Sequence, residues 1–442
     1  MNQLFGTEPL SKLLRSQAIP ASVGILVMSI YGIVDTIFVG RWVGSLGIGA
    51  ITVVMPITFM ISSIGMALGV GGASIISRAF GEEDDEKANV TFGNLITLTL
   101  GLAILFVVIG FLFKKQVLGL FGGREDLFQP SVDYFNIVLL GVPFLAWAMM
   151  SNNVIRAIGH PKMAMITLLI PSIINIVLDP IFIVVFDMGI KGAAWATSIA
   201  YFAAAVYTTI FFFTGNKQLK LSSKYLTIKP AIIKEVFAIG SVTLARQGTI
   251  SVLSIVLNNT MLVYGGALAV SVYGIINRVM MFANFPALGI TQGFVPILGF
   301  NYGAKLFQRV KDLVGLSMKS ATFIALIVFA GIMIFTKQLV NIFTTDQALI
   351  EATVPALRWV FLATPLIAIN LIGSAYFQAI GKARPALLLT LTKQGFFLIP
   401  LLFLLPLAFG TYGIWYSFPI ADVGAALVTF WFLRKEMAKG LG

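Results

Sequence analysis

The chain has 442 residues, 58% of them hydrophobic and only 11% charged, with a formal net charge of +12 at neutral pH. Soluble domains carry roughly 25% charged residues, so a mean hydropathy of +0.95 excludes an ordinary water-soluble fold. The absence of cysteine excludes disulfides, thiolate metal sites and cysteine nucleophiles together.

Twelve long apolar stretches run along the chain, each about as long as the roughly 20 residues that a helix needs to cross a bilayer. The first six helices are predicted over 11–40, 48–80, 88–113, 128–151, 161–186 and 190–214. The second six are predicted over 231–264, 268–302, 310–335, 350–375, 383–409 and 412–433. A transmembrane barrel would show short alternating strands instead. Between the two sets, 215–230 is polar and rich in lysine and reads as a cytoplasmic inter-lobe linker. The expected organisation is therefore an N-lobe over 1–214 and a C-lobe over 231–442. Residues 231–237, with Lys234 and Glu235, are expected to start as an amphipathic piece at the inner surface.

The second set repeats the first. Pro143 recurs as Pro365 and Gly159 as Gly381, each 222 positions on, and Ala67-Leu68-Gly69 recurs as Ala287-Leu288-Gly289. The fold class is thus an all-α polytopic membrane protein, with 12 transmembrane helices in two pseudo-symmetric six-helix lobes. Such repeats are the usual architecture of secondary transporters, with a central site served by alternating access.

Charge position sets orientation. With the N-terminus inside, twenty basic residues fall on the inner face, from Lys12 and Arg15 through Lys217 to Arg434, Lys435 and Lys439. Seven fall outside: Arg41, Lys114, Lys115, Arg124, Lys191, Lys337 and Arg358. This asymmetry predicts both termini in the cytoplasm, in a multi-pass prokaryotic cell membrane. Basicity here reports orientation rather than a nucleic-acid partner. The acidic run 82–86 reads as a solvated turn capping the next helix. Glycine-rich stretches at 44–49 and 69–72 follow no strand, and no Gly-x-x-x-x-Gly-Lys-Ser/Thr occurs, so an ATPase loop is excluded.

An ionised side chain at mid-membrane costs roughly 2.5–3.5 kcal/mol on insertion scales, which makes such residues functional candidates. Asp35 follows Tyr31 by four residues and Asp179 follows Asn175 by four, so each pair shares a helix face. Thr197 and Ser198 lie in the sixth stretch. The positions matching the two aspartates in the second half lack carboxylates: Asp179 falls on Leu401, and Asp35 near Asn258 and Asn259. A requirement of the fold should appear in both repeats, whereas a coupling site need appear once.

Pro20, Tyr31-x-x-x-Asp35, Asn175-x-x-x-Asp179-Pro180, Gly192-Ala193-Ala194-x-Ala196-Thr197 and the duplicated Ala-Ile-Gly turns carry a resemblance over essentially the whole chain. The sequence resembles the multidrug and toxic compound extrusion (MATE) transporters, in the branch with DinF-like and archaeal members. The resemblance implies exchange of amphipathic, often cationic drugs for H⁺ or Na⁺ by a monomer embedded in the bilayer, without a cofactor. It implies a cation site, for H⁺ or Na⁺, of Asp35, Asn175, Asp179 and Thr197, with Tyr31 beside it, Asn152 and Asn153 near the same cavity, and a helix bend at Pro20. Other branches carry carboxylates inside the second lobe, which here offers Arg246, Arg278, Lys393 and Asp422 instead. Asp422 is expected to pair with Arg246 or Lys393. The alternatives are a lipid-linked precursor flippase of the same superfamily, which would use Arg246, Arg278 and Lys393, and a membrane-embedded enzyme. The enzyme reading finds neither cysteine nor a metal cluster, and one histidine, His160, in a predicted loop.

Overall fold

The computed structural model describes residues 3–215, 218–220 and 222–438, and every regular element among them is helical. Lys217 and Lys439, two of the basic residues expected inside, lie outside the described residues. The long helices are α1 (Leu10–Trp42), α2 (Ser45–Gly81), α3 (Asp85–Leu112), α4 (Phe128–Ala157), α5 (Pro161–Val185) and α6 (Gly189–Gly215). They continue with α7 (230–265), α8 (267–303), α9 (Phe307–Asn341), α10 (Gln347–Ala379), α11 (Ala383–Phe409) and α12 (Thr411–Ala438). All are long and apolar enough to cross a membrane; α7 and α8 are parted only by Gly266, at φ 61° and ψ −160°.

Two compact units form, and their limits differ from the lobe edges expected from the sequence. The first holds Val23–Gly240, and the second holds Gln3–Ser22 with Ser241–Gly442. α1 therefore belongs to the second unit up to Ser22 and to the first from Val23, three residues beyond Pro20. The start of α7 belongs to the first unit, where Val236 is fully buried and Arg78 Nη2 donates to Glu235 Oε1 at 2.7 Å. Residues 231–237 are helical, with Val236 buried and Ala231, Lys234 and Phe237 exposed. In the second unit Arg309 Nη2 donates to the carbonyls of Phe5 (3.0 Å) and Glu8 (2.8 Å), and Asn301 Nδ2 donates to Phe5 O (3.0 Å). These bonds satisfy carbonyls that the short helix Gln3–Thr7 leaves free at its end.

The core of the first unit gathers Val54, Ile57 and Ile61 of α2, Phe135, Leu139 and Val142 of α4, and Ala193 and Ala194 of α6. That of the second joins Leu257 and Met261 of α7, Ile276 of α8, Leu357 of α10 and Ile414 of α12. Lipid is as apolar as these side chains, so close packing rather than escape from water holds such helices together.

The repeat extends to single hydrogen bonds. Gly159 (φ 84°) and Gly381 (φ 81°) end α4 and α10 in the left-handed region, which a Cβ would disfavour. His160 N donates to Ile155 O at 3.1 Å, and Lys382 N to Phe377 O at 2.9 Å. Asn152 Nδ2 donates to Ala164 O, and Ser374 Oγ, 222 positions on, donates to Ala386 O. A duplicated turn signal in the sequence becomes a duplicated helix cap.

Two described residues of the inter-lobe segment are bonded to α3. Lys220 N donates to Asn89 Oδ1 (2.7 Å) and Lys229 N to Asn94 Oδ1 (2.8 Å), both on α3. In the acidic run, Asp84 caps α3 by accepting from Lys87 N at 2.8 Å.

Candidate functional site

The site lies in the first unit, on α1, α4, α5 and α6. Pro180 supplies no amide hydrogen, and α5 widens there into a π-helical segment, Pro180–Val185, directly after Asp179. α6 approaches this widened turn very closely. A Cβ on Gly192 would stand 2.8 Å from the backbone carbon and oxygen of Phe182, so only glycine fits. That approach, with Ala193, Ala194 and Ala196 beside it, brings Thr197 to Asn175. The small-residue run is therefore what assembles the polar cluster.

Asn175 and Asp179 are buried, at 0% and 1% exposure, and Thr197 at 5%. The orientation of the Asn175 amide follows from its partners. Its Nδ2 donates to Asp179 Oδ2 at 2.5 Å, and its Oδ1 accepts from Thr197 N and Thr197 Oγ1, each at 3.2 Å. Asp35 comes from α1 and is partly buried, and its carboxyl stands beside that of Asp179, within hydrogen-bond reach. Neither carboxylate forms an ion pair with a Lys, Arg or His side chain among the described residues.

Three tyrosines surround the pair: Tyr31 of α1, Tyr134 of α4 and Tyr201 of α6 all lie within electrostatic reach of Asp35. A hydrogen bond joins the side chains of Tyr134 and Thr197. The sequence reading found Tyr31 and missed the other two. Tyr201 carried a signal, since it follows Thr197 by one helical turn. Tyr134 carried none, because only the α4–α6 contact brings it in.

Other candidates are committed elsewhere. Ser198 Oγ donates to the Ile137 carbonyl of α4 at 3.0 Å. Asn152 Nδ2 donates to Ala164 O, and its Oδ1 accepts from Arg156 Nη2 at 3.2 Å, so it braces the α4–α5 turn. Asn153 Nδ2 returns to its own helix, at Met149 O (3.0 Å). His160 occupies the N-cap of α5 and meets the Phe211 ring edge-on, and this burial lowers its pKa from the ordinary imidazole value.

A carboxyl pair with an amide oxygen and a hydroxyl offers hard oxygen ligands to a proton or a small cation. A duplicated all-helical chain of twelve long apolar helices, with a buried polar cluster in one repeat, has the architecture of a secondary transporter.

The comparisons sharpen that class. The MatE family model matches residues 20–181 and again 243–404, so each half of the duplication matches it separately. The chain belongs to the MatE family. It is 28% identical over 436 residues to the multidrug export protein MepA of Staphylococcus aureus, covering 98% of this chain and 96% of the relative. Among solved structures, the MATE multidrug transporter DinF-BH in complex with R6G is 39% identical, with a TM-score of 0.89 over 97% of this chain and 96% of that one. An outward-facing multidrug resistance MATE family transporter of the MOP superfamily is 26% identical, with a TM-score of 0.92 over 99% and 98%.

Proposed function

We propose that this member of the MatE family exports amphipathic, often cationic drugs in exchange for H⁺ or Na⁺, and that Asp35, Asn175, Asp179 and Thr197 hold the coupling ion. One observation carries the reading: two neighbouring carboxyls inside an apolar helical bundle, with no cationic side chain in ion-pair contact with either among the described residues. A second negative charge in such a place demands a compensating cation. A proton or Na⁺ supplies it in one phase of the cycle, and the drug cation, held also by the faces of Tyr31, Tyr134 and Tyr201, supplies it in the other. Competition for one charge is what exchange requires, and alternating access presents the site to each side in turn. Pro20 provides the point at which α1 bends as the occupancy changes.

Names of relatives support the export reading: MepA is a multidrug export protein, and DinF-BH was solved with R6G. No observation favours a precursor flippase or an enzyme. We place both termini at the cytoplasmic face of a prokaryotic cell membrane, from the basic side chains, and take one chain as the working unit.

Proteoliposomes with independently imposed H⁺ and Na⁺ gradients test the proposal. Drug movement against its own gradient should follow one ion and collapse when that gradient is dissipated. Drug movement indifferent to both would overturn it.

A further inference from the structure

The first unit carries an apolar groove that the exchange reaction above does not use. α3 and α6 both pack along α4, and they meet each other where the rings of Phe92 and Phe212 stand 4.6 Å apart. Trp147 of α4 meets Phe212 edge-on at 6.3 Å. Beyond this cluster a groove of about 510 Å³ lies between α3 and α6, over α4. α3 supplies Ile96 and Leu100, α4 supplies Phe144 and Trp147, and α6 supplies Phe202 and Val206. Trp147 and Ala205 are buried at its base, whereas Leu100 (41%) and Ile210 (54%) are exposed on its two rims, so it opens sideways.

The chemistry of the lining selects the occupant. No charged side chain lines the groove. Thr209, its one hydroxyl, donates to Ala205 O of its own helix at 2.7 Å, and Trp147 Nε1 is covered by neighbouring atoms. Drug sites place a few polar groups that orient the ligand, and this lining offers no free one. From Phe213 to Phe202 the groove follows about 15 Å of α6. That is the depth of one leaflet's hydrocarbon, half of a roughly 30 Å core. Both properties fit an acyl chain lying along the helices. The repeat does not impose the aromatic lining, because Leu366 and Ile369 stand 222 positions after Phe144 and Trp147.

A positive charge marks one end. Asn89 and Ile96 are seven residues apart, so they share a face of α3 at a separation of about 10 Å along its axis. Lys220 N donates to Asn89 Oδ1 at 2.7 Å, which fixes Lys220 on that face at the end where α3 begins. The Lys220 side chain is exposed and forms no ion pair among the described residues. A basic residue at the surface end of a groove between membrane helices is an arrangement that recognises anionic lipid headgroups.

We propose that this groove binds one acyl chain of an anionic phospholipid, whose headgroup phosphate is held by Lys220. The site places a lipid ligand on α6, the helix that also carries Thr197.

Tryptophan quenching by brominated lipid tests it, because Trp147 lines the groove. The full-length protein is reconstituted into phosphatidylcholine vesicles that contain rising fractions of phosphatidylglycerol brominated on its acyl chains, with no ion gradient. Brominated phosphatidylcholine in the same host serves as the comparison. The Trp147 component is identified by its loss in Trp147→Phe. Phosphatidylglycerol should half-quench that component at about a fivefold lower fraction than phosphatidylcholine, the preference one basic side chain gives near anionic lipid. Lys220→Gln should bring the two lipids together, and Lys220→Arg should keep them apart. Val206→Phe and Leu100→Phe fill the groove from exposed or half-open rim positions, and each should remove most of the Trp147 quenching by either lipid, with melting curves as the folding control. Equal quenching by the two lipids in the wild-type protein, or a preference unchanged in Lys220→Gln, would overturn the headgroup site. Quenching of Trp147 that survives both filling variants would overturn the groove. No drug or driving ion takes part, so these results and those on gradient-driven export stand or fall separately.

Discussion

Replacing Asp179 with Asn isolates the charge at the centre of the cluster while keeping its shape. An amide at 179 can still accept from Asn175 Nδ2, which reaches Asp179 Oδ2 at 2.5 Å, and can donate to the Asp35 carboxyl. One hydrogen bond changes its character, so stability should move by about 1 kcal/mol at most. Transport should change far more. One charge carried through 100 mV is worth about 2.3 kcal/mol, which corresponds to a concentration ratio of roughly 40-fold. With Asn at 179 only Asp35 can change charge, the second negative charge that demands a compensating cation never appears, and that ratio should fall to about one. The assay is drug accumulation in proteoliposomes under a fixed membrane potential and an imposed H⁺ or Na⁺ gradient, with a melting curve as the folding control. Asp35→Asn should act alike, and the double variant should be no worse than either single one, because the two carboxyls work as a unit. A folded Asp179→Asn protein that still accumulated drug many-fold would refute the coupling role.

Gly192→Ala places a Cβ 2.8 Å from the Phe182 carbonyl; α5 and α6 must part, which should cost about 1–3 kcal/mol of stability and lower gradient-driven transport, read by melting curve and flux together. Pro20→Ala fills the missing hydrogen bond in α1, so binding should persist while turnover slows, as stopped-flow flux would show; wild-type turnover would make the bend incidental. Asp422→Asn leaves Lys393 without its partner, a change worth about 3–5 kcal/mol when the pair is buried and less here because Lys393 is partly open. Adding Lys393→Gln should recover much of that loss in a double-mutant cycle on melting temperature, and additive losses would deny the coupling.

The sequence by itself determined what a bilayer enforces locally. Helix number, duplication and turn glycines were legible because each crossing needs a long apolar run and each left-handed cap favours glycine. Half of the site was legible for the same reason: Tyr31 with Asp35, and Asn175 with Asp179, are one turn apart on single helices. Tertiary structure decided what depends on register between helices. It brought in Tyr134 and Tyr201, turned Asn152 to the α4–α5 turn and Ser198 to Ile137, and paired Asp422 with Lys393 rather than Arg246. It also divided α1 between two units at Ser22 and Val23, and gave the start of α7 to the first unit. Hydropathy is blind to such choices, since a polar side chain in an apolar helix finds its partner through the rotation and depth of its neighbour. In this chain those are fixed by contacts such as Gly192 on the Phe182 carbonyl.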